Sequence, residues 1–145
     1  VEAMTEIGVD EIIGWSAARS VAKWTDRTGT KWQATADAAA RQSRRSWWPT
    51  ITGPMSTPEV AERLAGASLA LVLHEDAVES IAAVEIPGGG EVVVVVGPEG
   101  GITDDELSAF AAAGAQAARL GTTVLRSSTA GVAALAAVCA RTRWS

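Results

Sequence analysis

The sequence predicts an α/β fold, with a mainly parallel sheet and helices on both faces. Short apolar runs, typical of buried strands, alternate along the chain with alanine-rich or capped stretches that are typical of helices. The five consecutive valines from Val92 to Val96 are apolar on both faces of a strand, which predicts a place in the middle of a covered sheet. A repeated strand-then-helix order is the pattern of parallel α/β proteins.

The length and composition are those of one globular domain. The chain has 145 residues, of which 48% are hydrophobic and 20% charged, so it is long enough to bury a core. We assign residues 1–145 to this single domain. No apolar run approaches the roughly 20 residues that a membrane-spanning helix needs. The acidic stretch from Val1 to Asp10 is unlike a secretory signal, so we expect a cytoplasmic protein that contacts no membrane.

Cysteine and charge usage exclude several kinds of site. Cys139 is the only cysteine, which excludes an intrachain disulfide and a paired-cysteine metal site, and with a single histidine we expect no metal. The formal net charge of −5 disfavours a general nucleic-acid binder. Most basic side chains nevertheless fall between Arg19 and Arg45, so a local basic face on an acidic protein stays open.

The amino-terminal third is predicted to contain two helices and one strand. VEAMTEIG has the pattern of a helix end closed by Gly8, from which we expect a further segment to precede it. Asp10 to Trp15 is a short apolar run between turn residues and predicts a strand. Lys31 to Trp47 is alanine-rich and free of Gly and Pro, which predicts a helix. Pro49 and the following TGPMSTP stretch predict a connection.

The middle of the chain predicts a helix, a buried strand and a short helix in that order. Thr57, which a proline follows, is expected to cap a helix that ends near Gly66. Ser68 to His74 is an apolar run typical of a buried strand. Asp76 to Val84 predicts a short helix, and Pro87 to Gly90 predicts an exposed turn.

The carboxyl-terminal part predicts two helices around one more strand. TDDE is a capping box, which predicts a helix from Thr103 to about Gly114. AARLG, residues 117–121, predicts a short strand. Ser127 or Ser128 is expected to cap a final helix that runs to about Arg141. The alanine and glycine in that helix permit another backbone to pack closely.

The valine run leads directly into Gly-Pro-Glu-Gly-Gly, residues 97–101, which we call the glycine loop. Open parallel sheets bind ligands at the carboxyl ends of their strands, and glycines let the backbone approach a flat ligand. A tight turn without a ligand is the alternative. A P-loop would need a lysine after its last glycine, and a dinucleotide-binding loop would need GxGxxG after an early strand. Open-sheet methyltransferases also place their glycine loop after the first strand.

Three stretches are expected at one edge of the sheet: LVLHE at 71–75, the glycine loop, and LGTTVLRSSTAG at 120–131. With EIGVDEI and AAARQSRR, they occur in the order found in one family. The sequence resembles the SPOUT-class RNA methyltransferases, and within them the RsmE-like enzymes that methylate N3 of a uridine in 16S ribosomal RNA. The matching elements span nearly the whole chain.

The resemblance implies a trefoil knot at the carboxyl end that forms a site for S-adenosylmethionine (SAM), and a homodimer. It implies that this chain is the catalytic domain of a SAM-dependent methyltransferase that acts on 16S ribosomal RNA within the small subunit. The family also carries an amino-terminal, PUA-like barrel that binds RNA, to which nothing in this chain corresponds. The resemblance places these residues at the cofactor: Leu73, His74, Glu75, Gly97, Pro98, Glu99, Gly100, Gly101, Leu120, Gly121, Leu125 and Arg126.

Some of these residues also have simpler explanations. His74 taken alone would be a surface histidine at a strand end, and Leu120 and Leu125 would be core residues. Arg126 lies between an apolar strand end and a helix, where a guanidinium can hold a phosphate or a uracil carbonyl, so it is our candidate catalytic residue. An exposed ion pair is the alternative. The family has Glu where this chain has Ser128, so no residue is assigned as general base.

Arg41, Arg44 and Arg45 fall at positions i, i+3 and i+4 of the predicted helix, on one face. They are candidates for contacts with RNA phosphates, and a solvated face is the alternative. Two further functions stay open. One is a SAM-binding and dimerisation module without activity of its own on RNA, which Ser128 and the acidic charge favour. The other is an unrelated α/β enzyme that acts on a small molecule.

Overall fold

The computed structural model describes residues 1–122 and 125–144, and strands alternate with helices through them. The strands are β1 (Glu11–Trp15), β2 (Thr50–Met55), β3 (Leu69–Leu73), β4 (Val92–Val95) and β5 (Gln116–Ala118). The helices are α1 (Glu2–Ile7), α2 (Asp26–Gln42), α3 (Thr57–Ala65), α4 (Asp104–Ala112) and α5 (Ser127–Ala140), with a 3₁₀ turn at Ile81–Ala83. The predicted α/β class is confirmed.

The strands form two parallel sheets, one in the order β4-β3-β5 and the other made of β1 and β2. The central strand of the larger sheet is β3, in which four of the five residues are buried. The prediction that the valine strand lies in the middle of a sheet is wrong. Within the described residues β4 pairs only with β3, and only Val95 of its four residues is buried.

The core lies on both faces of the larger sheet because successive strand residues point to opposite sides. On one face, Ala70 and Val72 of β3 pack with apolar side chains of α3 and α4, including the fully buried Phe110. On the other face, Leu69 and Leu71 pack with residues of the 3₁₀ turn and of α5. Helices therefore cover both faces, as the sequence predicts.

The second helix has other bounds than the predicted Lys31 to Trp47. It begins five residues earlier, because the side chains of Thr25 and Thr28 form a reciprocal capping box around its first turn. It ends at Gln42, and two residues later Arg44 has a φ of 59°, a left-handed conformation that stops a helix. The bounds of this helix matter for the arginines that follow it.

The predicted connection after Pro49 is wrong in part, because residues Thr50–Met55 form strand β2. Pro54 is tolerated because, among the described residues, β2 is paired on one side only and the ladder is irregular between Ile13 and Trp15. Gly53 has a positive φ and packs on the backbone of Gly14, where an added Cβ would lie 3.0 Å from the carbonyl oxygen. Proline and glycine here fit an irregular edge rather than a loop.

Two predicted caps are shifted by one position. Ser56 rather than Thr57 caps α3, because its hydroxyl accepts a hydrogen bond from the Glu59 amide at 3.3 Å. The Thr57 hydroxyl instead accepts a bond from the indole of Trp15 at 3.1 Å. For α5, the N-cap residue is Arg126 rather than Ser127 or Ser128.

The predicted ends of α1 and α4 are confirmed, whereas the predicted short helix and β5 are found only in part. Gly8, with a φ of 114°, closes α1, and Thr103 caps α4 in a full capping box. The short helix predicted between Asp76 and Val84 is reduced to the 3₁₀ turn, and β5 begins and ends before the predicted 117–121. The trefoil knot stays a prediction.

Candidate functional site

The carboxyl ends of β4, β3 and β5 lie at one edge of the larger sheet, because the three strands are parallel and paired in register. Residues 73–75 follow β3, the glycine loop follows β4, and residues 119–121 follow β5. The structure therefore brings together the stretches that the sequence predicts to meet. Their role in binding a cofactor stays a prediction.

Backbone hydrogen bonds join the segments that leave β3 and β5. The His74 amide donates to the carbonyl of Ala118 at 3.0 Å, and the Arg119 amide donates to the carbonyl of Glu79 at 2.9 Å. The imidazole Nδ1 of His74 accepts a bond from the amide of Asp76 at 3.2 Å. His74 thus holds the local turn with one ring nitrogen, and Glu75 beside it is exposed.

The glycine loop is a tight turn whose glycines are each required by the local geometry. The Gly101 amide donates to the carbonyl of Pro98 at 2.9 Å, and Gly101 has a φ of 87°, which favours glycine. A Cβ on Gly97 would lie 2.6 Å from a side-chain carbon of Ile102. Glu99 is exposed at the tip. The turn explains the glycines without a ligand, and it also leaves the backbone open to one.

The amino terminus of α5 is fixed to the start of the glycine loop. The Ser127 hydroxyl donates to the carbonyl of Gly97 at 2.7 Å. Arg126, the preceding residue, is exposed, and Leu125 before it is half-buried, as is Leu120 after β5. No ion pair of Arg126 is seen within residues 1–122 and 125–144. The guanidinium of Arg126 is therefore available beside the loop.

A segment that sequence reasoning missed lies on the other side of the loop. Residues 16–24, between β1 and α2, form what we call the strap. The amide of Ala18 donates to Oε2 of Glu106 at 2.9 Å, and a guanidinium nitrogen of Arg19 donates to the carbonyl of Gly100 at 3.4 Å. A Cβ on Gly100 would lie 3.0 Å from the carbonyl oxygen of Arg19. The strap thus packs directly on the glycine loop.

Glu106 is a buried carboxylate, 5% exposed, that joins this strap to α4. Burial alone would raise the pKa of Glu106. Hydrogen bonds from the amides of Thr103 and Ala18, and from the hydroxyls of Thr103 and Thr57, outweigh it and hold that pKa below its usual value. The capping box predicts the hydrogen bond between Thr103 and Glu106 from sequence. The Ala18 amide lies 88 residues earlier in the chain, so no sequence pattern near Glu106 predicts its hydrogen bond.

A cavity of about 1060 Å³ lies between β1 and the outer edge of β4. Its lining includes Ile12, Trp15, all of β4 and Cys139, and burial raises the pKa of the Cys139 thiol. Near the amino-terminal ends of β1 and β4, Arg63 of α3 forms ion pairs with Glu11 and Glu91. These ion pairs join the two sheets.

This cavity and the predicted cofactor edge overlap only slightly. The predicted residues that line the cavity are Gly97 and Pro98, whereas those after β3 and β5 do not line it. The predicted cofactor site therefore lies mainly at the strand ends, outside this cavity.

The prediction that Arg41, Arg44 and Arg45 share one helical face is wrong, because α2 ends at Gln42. Arg45 turns inward and donates to the carbonyls of Val9, at 2.8 Å, and Thr5, at 3.3 Å. The Arg41 guanidinium lies 5.4 Å from the centre of the Trp48 ring, as in a cation–π contact. Arg41 and Arg44 remain exposed, but the three do not form a single basic surface.

In the described part of the chain, no group of three or more His, Cys, Asp or Glu side chains is placed to hold a metal ion. None of the helices within the described ranges combines the length and apolar character needed to cross a membrane.

Comparison with known proteins identifies relatives over almost the whole chain. A family model described as an RNA methyltransferase domain matches residues 1–139. A protein of Mycobacterium bovis named ribosomal RNA small subunit methyltransferase E is 47% identical over 99% of this chain. A Bacillus subtilis protein of the same name is 30% identical over 95% of it. The chain spans 58% of the length of each of these curated relatives.

A solved structure has the same fold. It is a ribosomal RNA small subunit methyltransferase E from Neisseria gonorrhoeae bound to S-adenosyl methionine. It superimposes with a TM-score of 0.86 at 28% sequence identity, over 97% of this chain and 59% of that one.

We predict that Glu106→Gln destabilises the protein at neutral pH, by about 1.5–3 kcal/mol, because the amide group replaces an acceptor with a donor facing backbone N–H groups. The pKa of Glu106 is lowered in the folded state, so its contribution is present above the pKa of the unfolded chain, roughly 4.3. It is lost as the pH falls through the lower, folded-state pKa.

Urea unfolding of both proteins between neutral and acidic pH measures this difference. The difference in free energy of unfolding between wild type and Glu106→Gln should shrink as the pH falls below the pKa of Glu106 in the unfolded chain. Asp105→Asn, on the exposed side of the same helical turn, is the matched control and should change stability little. A gap for Glu106→Gln that is the same at every pH would contradict the assignment.

Proposed function

Because this chain belongs to the RNA methyltransferase domain family, we propose that it is the catalytic domain of a SAM-dependent methyltransferase of ribosomal RNA. The observation that carries the proposal is the convergence of three strand ends, with the glycine loop and the free cation of Arg126, at one edge of the sheet. The SAM-bound relative with the same fold supports the choice of cofactor. We propose N3 of a uridine in 16S ribosomal RNA, in the small subunit, as the acceptor.

The residues at this edge fit an adenosine-containing cofactor. Half-buried Leu73, Leu120 and Leu125 offer apolar surface for a flat base, while the loop glycines offer backbone donors and acceptors. At Gly121 the φ is 72°, and no atom of the described residues lies within 4 Å of where a Cβ would stand. The described residues thus leave room for a ligand beside the backbone at Gly121. We also assign His74, Glu75, Pro98 and Glu99 to the rim of this site.

The chemistry would be methyl transfer from a sulfonium to the uracil nitrogen, and the cofactor supplies the activated methyl group. Uracil N3 is mostly protonated near neutral pH, so its proton would pass to solvent. The nitrogen–methyl bond would form as the carbon–sulfur bond of the sulfonium breaks, which leaves a neutral thioether. Ser128 is exposed and carries no carboxylate, so the chain offers no base at that position. Arg126 would stabilise the negative charge that develops on the uracil oxygen, and the rigid loop would position the reactants.

A second function is a SAM-binding and dimerisation module without activity of its own on RNA. Ser128 in place of a carboxylate favours it, as does the formal net charge of −5. Methyl transfer to small ribosomal subunits separates the two functions. For the methyltransferase function we propose cytoplasmic action, since ribosomal RNA is its proposed substrate.

We also propose that the chain forms a homodimer. The close packing of α5 that the sequence predicts is used inside the subunit, where a Cβ on Gly131 would lie 3.3 Å from the sulfur of Met4. Among the exposed apolar side chains, the indoles of Trp47, Trp48 and Trp144 are then our candidates for contact with a partner. Sedimentation at micromolar concentration should show a dimer, and a monomer alone would contradict this proposal.

Gly121→Leu should abolish or strongly weaken SAM binding measured by calorimetry, because the side chain would fill the space at the predicted site. Gly114→Leu is its matched control. Both glycines are exposed, have positive φ and have room for a Cβ among the described residues, but Gly114 precedes β5 and lies away from the strand ends. We expect the two variants to lose equal stability. We expect only Gly121→Leu to lose SAM binding. Unchanged SAM binding in Gly121→Leu would place the cofactor elsewhere.

Arg126→Ala should lower the rate of methyl transfer by about 10²–10³-fold, as expected for the loss of a group that stabilises developing charge. We expect SAM binding to fall much less. The assay uses small ribosomal subunits as the substrate. Arg141→Ala, at the other end of α5, is the control and should retain activity. Equal rates for wild type and Arg126→Ala would remove Arg126 from the mechanism.

A further inference from the structure

We infer that RNA approaches the glycine loop along a basic track made of Arg19, Lys23, Arg27 and Lys31, with its phosphates held by these four side chains. The inference rests on the proposed function, because it identifies the surface that holds the RNA substrate. It replaces Arg41, Arg44 and Arg45, the candidates that the sequence predicts, as the main RNA contact.

The charge of this part of the chain is opposite to that of the whole. The net charge is −5, yet between Glu11 and Asp37 the only acidic residue is Asp26, against the four basic residues of the track. All four basic side chains are exposed. The ion pairs seen among the described residues involve Arg63 and Arg143, so the track's cations are not neutralised by carboxylates there. They are free to contact phosphates.

Packing fixes the course of the strap that carries the first half of the track. At its start, the amide of Ala18 is held by the buried Glu106. At its end, the ring of Trp24 packs edge-on against Trp32 of α2, with ring centres 4.8 Å apart. The same ring occupies the space where Gly14 and Gly29 lack a Cβ. A surface that is held in this way loses little entropy when it binds a ligand.

The track leads from the glycine loop to the outer face of α2. Arg19 contacts the loop through the carbonyl of Gly100. Lys23 comes next along the strap and immediately precedes Trp24. Arg27 and Lys31 are four residues apart in α2, so they lie on the same face of the helix. An RNA backbone laid along these cations would bring one nucleotide to the loop.

Binding of a labelled oligouridine to this chain, titrated with KCl, tests the inference. Each phosphate contact contributes about 0.7 to the slope of log affinity against log salt for a single strand. The Lys23→Gln, Arg27→Gln double variant should bind several-fold more weakly and lower that slope by about 1.4. The rival double variant, Arg41→Gln with Arg44→Gln, makes the same change in charge at exposed positions and should lower the slope by less than half as much.

An unchanged slope in the Lys23, Arg27 variant, or an equal or larger fall in the Arg41, Arg44 variant, would overturn the track. Calorimetry with SAM separates this failure from that of the proposed function. If the wild type binds SAM and methylates RNA while the track variant keeps its slope, only the track is wrong. If the wild type binds neither SAM nor oligouridine, the proposed function fails and the track fails with it.

Discussion

The carboxylate of Glu106 joins the parts of the molecule on which the candidate site depends. One oxygen accepts the Thr103 amide and so completes the cap of α4, while the other accepts the Ala18 amide of the strap. The glycine loop lies between these two partners in space, since the strap packs on Gly100 and the loop leads into the cap. A buried charge is stable only when it is hydrogen-bonded, so this carboxylate requires both segments to be in place.

Parallel pairing supplies the second constraint. It places the ends of β3, β4 and β5 at one edge, so that chain segments far apart in sequence share one surface. Ser127 then fixes the start of α5 to Gly97, and Arg19 fixes the strap to Gly100. The loop is thus held at both ends by polar contacts, with the exposed guanidinium of Arg126 beside one end and the basic track beside the other. An anionic polymer and a flat cofactor can meet at such a place.

Local chemistry made much of this fold predictable. The apolar run of β3 and the capping box of α4 need only neighbouring residues, and both are found where the sequence indicates. Contacts between distant segments were not predictable, which is why the Ala18 bond of Glu106 and the strap were missed. Strand β2 was missed because Pro54 and Gly53 read as a turn, although an irregular edge accepts them. The predicted helical face of Arg41, Arg44 and Arg45 was wrong because of a single residue, Arg44, whose left-handed backbone ends the helix.

Amide hydrogen exchange with and without SAM tests the central claim most directly, because it compares the strand ends with the large cavity in one experiment. SAM should slow exchange in the glycine loop and in residues 119–122, and should leave β1 unchanged. Protection concentrated in β1 and along β4, the walls of the cavity, with none in the loop or after β5, would contradict the account.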